Sequence, residues 1–167
     1  LTNPAVSITD TPADPTNSDA ADMTVTSSDG GSGLASTTCT IDNGATTCGD
    51  ALASLAEGSH TYVATATDAA GNSASASFTW NVDTVDPTAS VSGPSAEDND
   101  DTPTFTFSGT DDNSGVASFE CRIDADAYAA CTSPHTAAAL ADGAHTFDVR
   151  AIDNAGNTGD SAQHAWD

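Results

Sequence analysis

The sequence predicts an all-β chain made of two β-sandwiches in tandem, on three observations. The chain is duplicated: residues 55–72 and 140–157 keep Leu, Ala, an acid, Gly, His, Thr, an aromatic, Asp, Ala, Gly and Asn in register. Within that stretch His145, Phe147, Val149 and Ala151 alternate with Thr146, Asp148, Arg150 and Ile152. His60, Tyr62, Ala64 and Ala66 keep the same phase in the first copy, and a period of two marks a half-buried strand. Short runs of this kind recur between clusters of Gly, Pro, Asp, Asn and Ser, and no long amphipathic helix interrupts them.

The repeat sets the domain organisation, with residues 1–83 as the first domain and 84–167 as the second. In order, the expected strands are Ala5–Thr9, matched by Thr88–Ser92; 23–26, matched by 104–108 with Phe105 and Phe107 inward; and a third strand carrying Cys39 and Ile41, or Phe119, Cys121 and Ile123. The repeated strand follows, and a last strand over 75–82 alternates Ala76, Phe78, Trp80 and Val82, matched by Ala162, His164 and Trp166. Cys39 and Cys121 are 82 positions apart, while Trp80 and Trp166 are 86 apart. The copies therefore differ in loop length, where insertions are tolerated. Asn3-Pro4 matches Asp86-Pro87 between the copies, so the chain is expected to be a segment of a longer array.

Composition narrows the partners. The formal net charge is −23, with Arg122 and Arg150 as the only cationic side chains besides histidine. Such a chain repels nucleic acid and anionic lipid, and no apolar run is long enough to insert in a membrane. It attracts divalent cations or suits very high salt. Neither a nucleophile motif nor a phosphate loop appears, so no catalytic residue is assigned and an enzyme is not expected. His60 and His145, at one position of both copies, read as structural hydrogen-bonders.

The four cysteines fall in two local pairs. With Asn43-Gly44 at a two-residue turn, Cys39 and Cys48 become directly opposed, and a three-residue turn at 125–127 opposes Cys121 and Cys131. Two hairpin disulfides are expected, which points to an extracellular chain.

At this point the residues resemble a family. Phe119-Glu120-Cys121, Cys131 and the stretch 140–157, with Cys39, Cys48 and 55–72 in the first copy and the linker 82–88, are similar to the Ig-like repeats of large prokaryotic cell-surface proteins and adhesins. The resemblance spans nearly the whole chain. It implies seven-stranded Ig-like sandwiches, partners that are neighbouring Ig-like repeats or copies of the chain itself, and a structural role in a surface stalk, adhesin or filament. It also implies calcium at the junctions. In an Ig-like fold the loop after the second strand and the last hairpin turn share one end. In the second copy these carry Asp111, Asp112, Asp153 and Asn157, and the linker acids Asp83 and Asp86 enter at the same end, a donor set suited to Ca2+. The same acids equally suit tight turns.

An alternative is a glycan- or protein-binding module. It would need exposed aromatic rings, for which Tyr128 is the loop-borne candidate. Trp80 and Trp166 read as core. Arg122 and Arg150 are expected on an outward face with Glu120 and Asp148, in surface ion pairs of little energetic weight.

Overall fold

Alternating apolar residues and Asp/Gly/Asn turns produce thirteen strands and no helix in the computed structural model, which describes residues 2–167. The chain divides into two compact units, the first ending at Thr84 and the second running from Val85 to Asp167.

In unit 1, β1 (Ala5–Thr9) pairs with β2 (Thr24–Ser28). A second, antiparallel sheet has the order β4-β3-β5-β6, from β3 (Leu34–Ile41), β4 (Gly44–Thr46), β5 (Gly58–Asp68) and β6 (Ser73–Val82). The two sheets enclose Met23, Cys39, Tyr62, Ala64, Trp80 and Val82, with Val6, Ile8, Val25 and Phe78 packed at the margin. Ala64 and Ala66 are fully buried on β5, and Tyr62 and Trp80 are the largest side chains enclosed in this unit.

Unit 2 repeats the plan with more aromatic rings in its core. One sheet has the order β11-β8-β7, from β7 (Thr88–Ser92), β8 (Thr104–Thr110) and β11 (His135–Thr136). The other has the order β10-β9-β12-β13, from β9 (Val116–Ile123), β10 (Ala129–Cys131), β12 (His145–Asp153) and β13 (Ala162–Trp166). Phe105 lies flat on Phe147, ring centroids 4.2 Å apart and planes within 2°, and tilts against Trp166 at 4.9 Å. Unit 2 has the seven strands that the resemblance implies. Unit 1 has six, and the contact that would correspond to β11 is a single bridge between Ala21 and Leu52.

The inward phase expected from the sequence is the buried one: Tyr62, Ala64, Ala66, Trp80, Phe105, Phe107, Phe147, Val149 and Ala151 are all core. In both units the ladder feeding the Asp turn shifts register near its end, between Leu34 and Ser36 opposite β5 and between Ile152 and Asp153 opposite β9. A bulge there turns the strand end out of the sheet.

Both disulfides are present, Cys39–Cys48 and Cys121–Cys131, but the expected hairpin register is corrected. Cys39 faces Thr46 and Ile41 faces Gly44, so the turn residues are Asp42 and Asn43, with φ of 48° and 68°, rather than Asn43-Gly44. Cys121 likewise faces Ala129, and Cys131 faces Phe119. Each disulfide is therefore a diagonal bridge, two positions off the direct pair, with Cα atoms 5.1 and 5.8 Å apart. The turn slides because Asp42 adopts the left-handed conformation itself, which Asp tolerates better than most residues. Its carboxylate is held there by the Thr61 N–H and by His60.

Candidate functional site

Three constellations of polar side chains are candidates for a site. The first is the pair of Asp turns that close β5 and β12. Asp68 Oδ1 accepts the N–H groups of Ala70 and Asn72, and its Oδ2 accepts the Asn72 side-chain amide. Asp153 repeats this with Gly156, Asn157 and the Asn157 amide, which also donates to the Val85 carbonyl. The turn needs a left-handed residue, supplied by Gly71 and Gly156 at φ 90° and 96°.

The preceding loops hold a second Asp. Asp29 Oδ2 accepts from Gly31 and Gly33, and Asp111 Oδ2 accepts from Asn113, Ser114 and Gly115. Burial raises the pKa of Asp111, but those three backbone donors outweigh it and hold the carboxyl below its usual range. The other oxygen, Oδ1, is buried without a hydrogen-bond partner in both Asp29 and Asp111.

The sequence-selected metal residues thus have distinct placements. Within unit 2, Asp111 and Asp153 bring carboxylate oxygens within 4.8 Å of each other. Asn157 is part of the Asp153 turn. Asp112 is exposed, and Asp86 lines an open groove with Asp160 and Ser161. Asp83, next to the last residue of unit 1, is fully buried, with its N–H bonded to the Thr16 carbonyl. Within unit 2, Asp111 and Asp153 offer two oxygen donors, with Asp111 Oδ1 unpartnered, of the six to eight that a calcium ion takes.

The second constellation lies on the outer face of unit 2's four-stranded sheet. Register places Arg122 opposite Asp148 and Arg150 opposite Glu120. Arg122 Nε donates to Asp148 at 2.9 Å, Arg150 Nη2 donates to Glu120 at 2.6 Å, and the Gln163 amide completes Asp148 at 2.8 Å. Both guanidiniums lie over the Tyr128 ring, 4.6 and 4.2 Å from its centroid. The expected outward pairs form, and Arg150 with Glu120 is a partly exposed one, but Asp148 differs from the expectation in being only 2% exposed. Arg122 and Gln163 engage its two oxygens, and the Tyr128 ring stacked on the arginines is invisible in the strand pattern. The tyrosine singled out as a glycan platform therefore carries two arginines, and Trp80 and Trp166 are 1% and 5% exposed.

The third constellation is the duplicated histidine. His60 Nδ1 lies 2.7 Å from Asp42 Oδ2 and Nε2 lies 2.8 Å from the Ala56 carbonyl. His145 stands in the same way to Asp124 and Ala141, at 2.8 and 2.9 Å. The rings rest near Trp80 and Trp166, with centroids 5.7 and 5.6 Å apart. The sequence signalled this role through the repetition of His at one position, while the acceptors, eighteen or more residues away or on a loop carbonyl, carried no signal.

Residues 2–84, the whole described part of unit 1, match the family model of the bacterial Ig-like domain. Unit 1 is a bacterial Ig-like domain. Unit 2 repeats the domain's sheet order, disulfide, histidine and Asp turn, so the chain is an all-β pair of Ig-like sandwiches. Among solved structures the chain is similar in fold to the fibronectin(III)-like modules of Clostridium thermocellum CbhA. The TM-score is 0.53 at 16% identity, over 97% of this chain and 93% of that one. No curated protein matches the chain significantly in sequence.

Proposed function

We propose that this pair of Ig-like domains is a structural segment of an extracellular surface stalk, adhesin or filament. The carrying observation is that both units direct their most reactive side chains into the same internal fastenings. In each, a disulfide ties the hairpin, a histidine bridges the hairpin to a loop, and an aspartate locks the last turn. Disulfides suit an oxidising compartment, which supports a location outside the cell. A glycan-binding module is the weaker reading, because its aromatic candidates are buried or engaged by arginine.

Calcium belongs to this proposal as a stiffening ion. Asp111 and Asp153 would supply oxygens in unit 2, and Asp83, Asp86, Asp112 and Asn157 are the further donors selected from the sequence. Neighbouring Ig-like repeats or further copies of the chain are its proposed partners.

Two experiments test the reading. Pulling the intact chain from its ends should give two separate unfolding events, and yielding without a resolved force peak would contradict a load-bearing role. Thermal melts in low-salt EDTA, low-salt millimolar calcium, and molar sodium chloride with EDTA separate ion binding from screening. Calcium should raise Tm more than sodium chloride does, and Asp111→Asn should remove that excess. An equal rise in both would eliminate the calcium site.

A further inference from the structure

His60 is held between two groups that can only accept. Asp42 Oδ2 lies 2.7 Å from Nδ1 and the Ala56 carbonyl lies 2.8 Å from Nε2. A neutral imidazole carries one N–H and can satisfy one of them, whereas the imidazolium satisfies both. A proton on Asp42 is the other way to fill the gap. It is disfavoured because the His60 hydrogen bond, the Thr61 N–H and the imidazolium charge hold the Asp42 carboxyl below its usual range.

The residue after Ala56 extends the chain of contacts. The Glu57 carboxylate accepts the Thr84 N–H at 3.0 Å and also the Thr84 hydroxyl. Thr84 is the last residue of unit 1. The hairpin turn, the ring, the loop and the exit of the domain are therefore linked in sequence: Asp42, His60, Ala56, Glu57, Thr84.

We propose that the proton on His60 fastens the exit of unit 1: the imidazolium bridging Asp42 and Ala56 holds the loop whose next residue, Glu57, grips Thr84, so losing that proton loosens the chain where it leaves the domain. The groups facing the ring are Asp42 from the hairpin turn, the Ala56 carbonyl from the loop and the Trp80 indole from β6, while Glu57 is turned to Thr84. Unit 2 has the same histidine bridge. His145 is faced by Asp124, the Ala141 carbonyl, Trp166 and Asp167, and the groove beside it is lined by Asp98, Asp100, Asp101 and Asp142.

The surroundings of the two rings favour the charged form. Burial opposes the charge on His60, but the hydrogen bonds to Ala56 and Asp42 and the Asp42 charge outweigh it, raising the pKa above the usual 6.5. His145 is raised by the Ala141 carbonyl first, then by Asp124. A histidine raised on folding contributes fully below the unfolded-state pKa, and its contribution is lost as pH rises through the folded-state value. The fastening is therefore closed in mild acid and opens as pH rises through a folded-state value that lies above the usual one.

Imidazole nitrogen NMR on the intact chain, followed across pH, tests the proposal. The His60 and His145 rings should hold both protons to a higher pH than a histidine in an unstructured peptide. Over the same titration, exchange of the Thr84 and Leu55 amides should rise roughly tenfold beyond intrinsic base catalysis, the loss expected for one charge-assisted hydrogen bond. His60→Gln, which cannot gain the proton, should show the fast exchange already in mild acid and lose the extra pH dependence, with the His145 loop unchanged. If that variant does not fold, the titration of the unaltered chain decides. A His60 ring with a single proton in mild acid, or Thr84 protection indifferent to its ionisation, would overturn the proposal.

Discussion

The outer faces of the two four-stranded sheets share a register and differ in chemistry. In unit 1 one row reads Thr38, Thr65, Ser75 and the next Thr40, Val63, Ser77. In unit 2 the matching rows hold Glu120 with Arg150, and Arg122 with Asp148 and Gln163. The hydroxyl face makes short cross-strand contacts, such as Thr65 to Ser75 at 2.8 Å. The ionic face is roofed by Tyr128. Both faces sit on strands whose inner sides are set by the core, so the outer side was free to diverge into neutral or ionic ladders without changing the fold.

The comparison can be broken from the inside or the outside. Each unit has one tryptophan, Trp80 or Trp166, so single-tryptophan variants report each unfolding transition separately. Phe147→Ala should have the largest effect. It removes the ring stacked on Phe105, and denaturant unfolding should show unit 2 weakened by about 3–5 kcal/mol. Unit 1 should be unaffected. Cys39→Ala with Cys48→Ala, or the matching pair in unit 2, should cost about 2–3 kcal/mol in its own unit, because each disulfide closes a short loop.

The outer faces come next. Arg122→Met leaves Asp148 buried without its cation and should cost about 1–3 kcal/mol. Replacing the row with unit 1's residues, Arg122→Thr with Asp148→Val, should recover most of that loss, since apolar replacement of a half-buried pair is often neutral. A double replacement as damaging as Arg122→Met alone would show that the ionic row specifies unit 2 rather than decorating it. Thr65→Ala, on the hydroxyl face, should stay within about 0.5 kcal/mol.

How much could be read in advance depends on the range of the interaction. Strand phase was legible at Tyr62, Trp80, Phe105 and Phe147, because alternation is a local consequence of the pleat. The disulfide partners were legible for the same reason, being close in sequence. Their register was not, because Asp42 takes a left-handed conformation that depends on Thr61 and His60 from another strand. Asp148 read as an outward charge from its phase, yet it is buried, with Arg122 and Gln163 from the flanking strands bonded to its two oxygens. The acids chosen as metal donors were legible as turn formers, and Asp153 serves as one with both oxygens.

By itself, the sequence determined the duplication, the all-β architecture, the inward face of each strand and the cysteine pairing, since all follow from periodicity and short separations. Only the tertiary structure decided the diagonal hairpin register, the burial of Asp148 and the two acceptors that hold His60 and His145. Each of these requires side chains from different strands or loops to meet, and their energies depend on burial and orientation that no local pattern encodes.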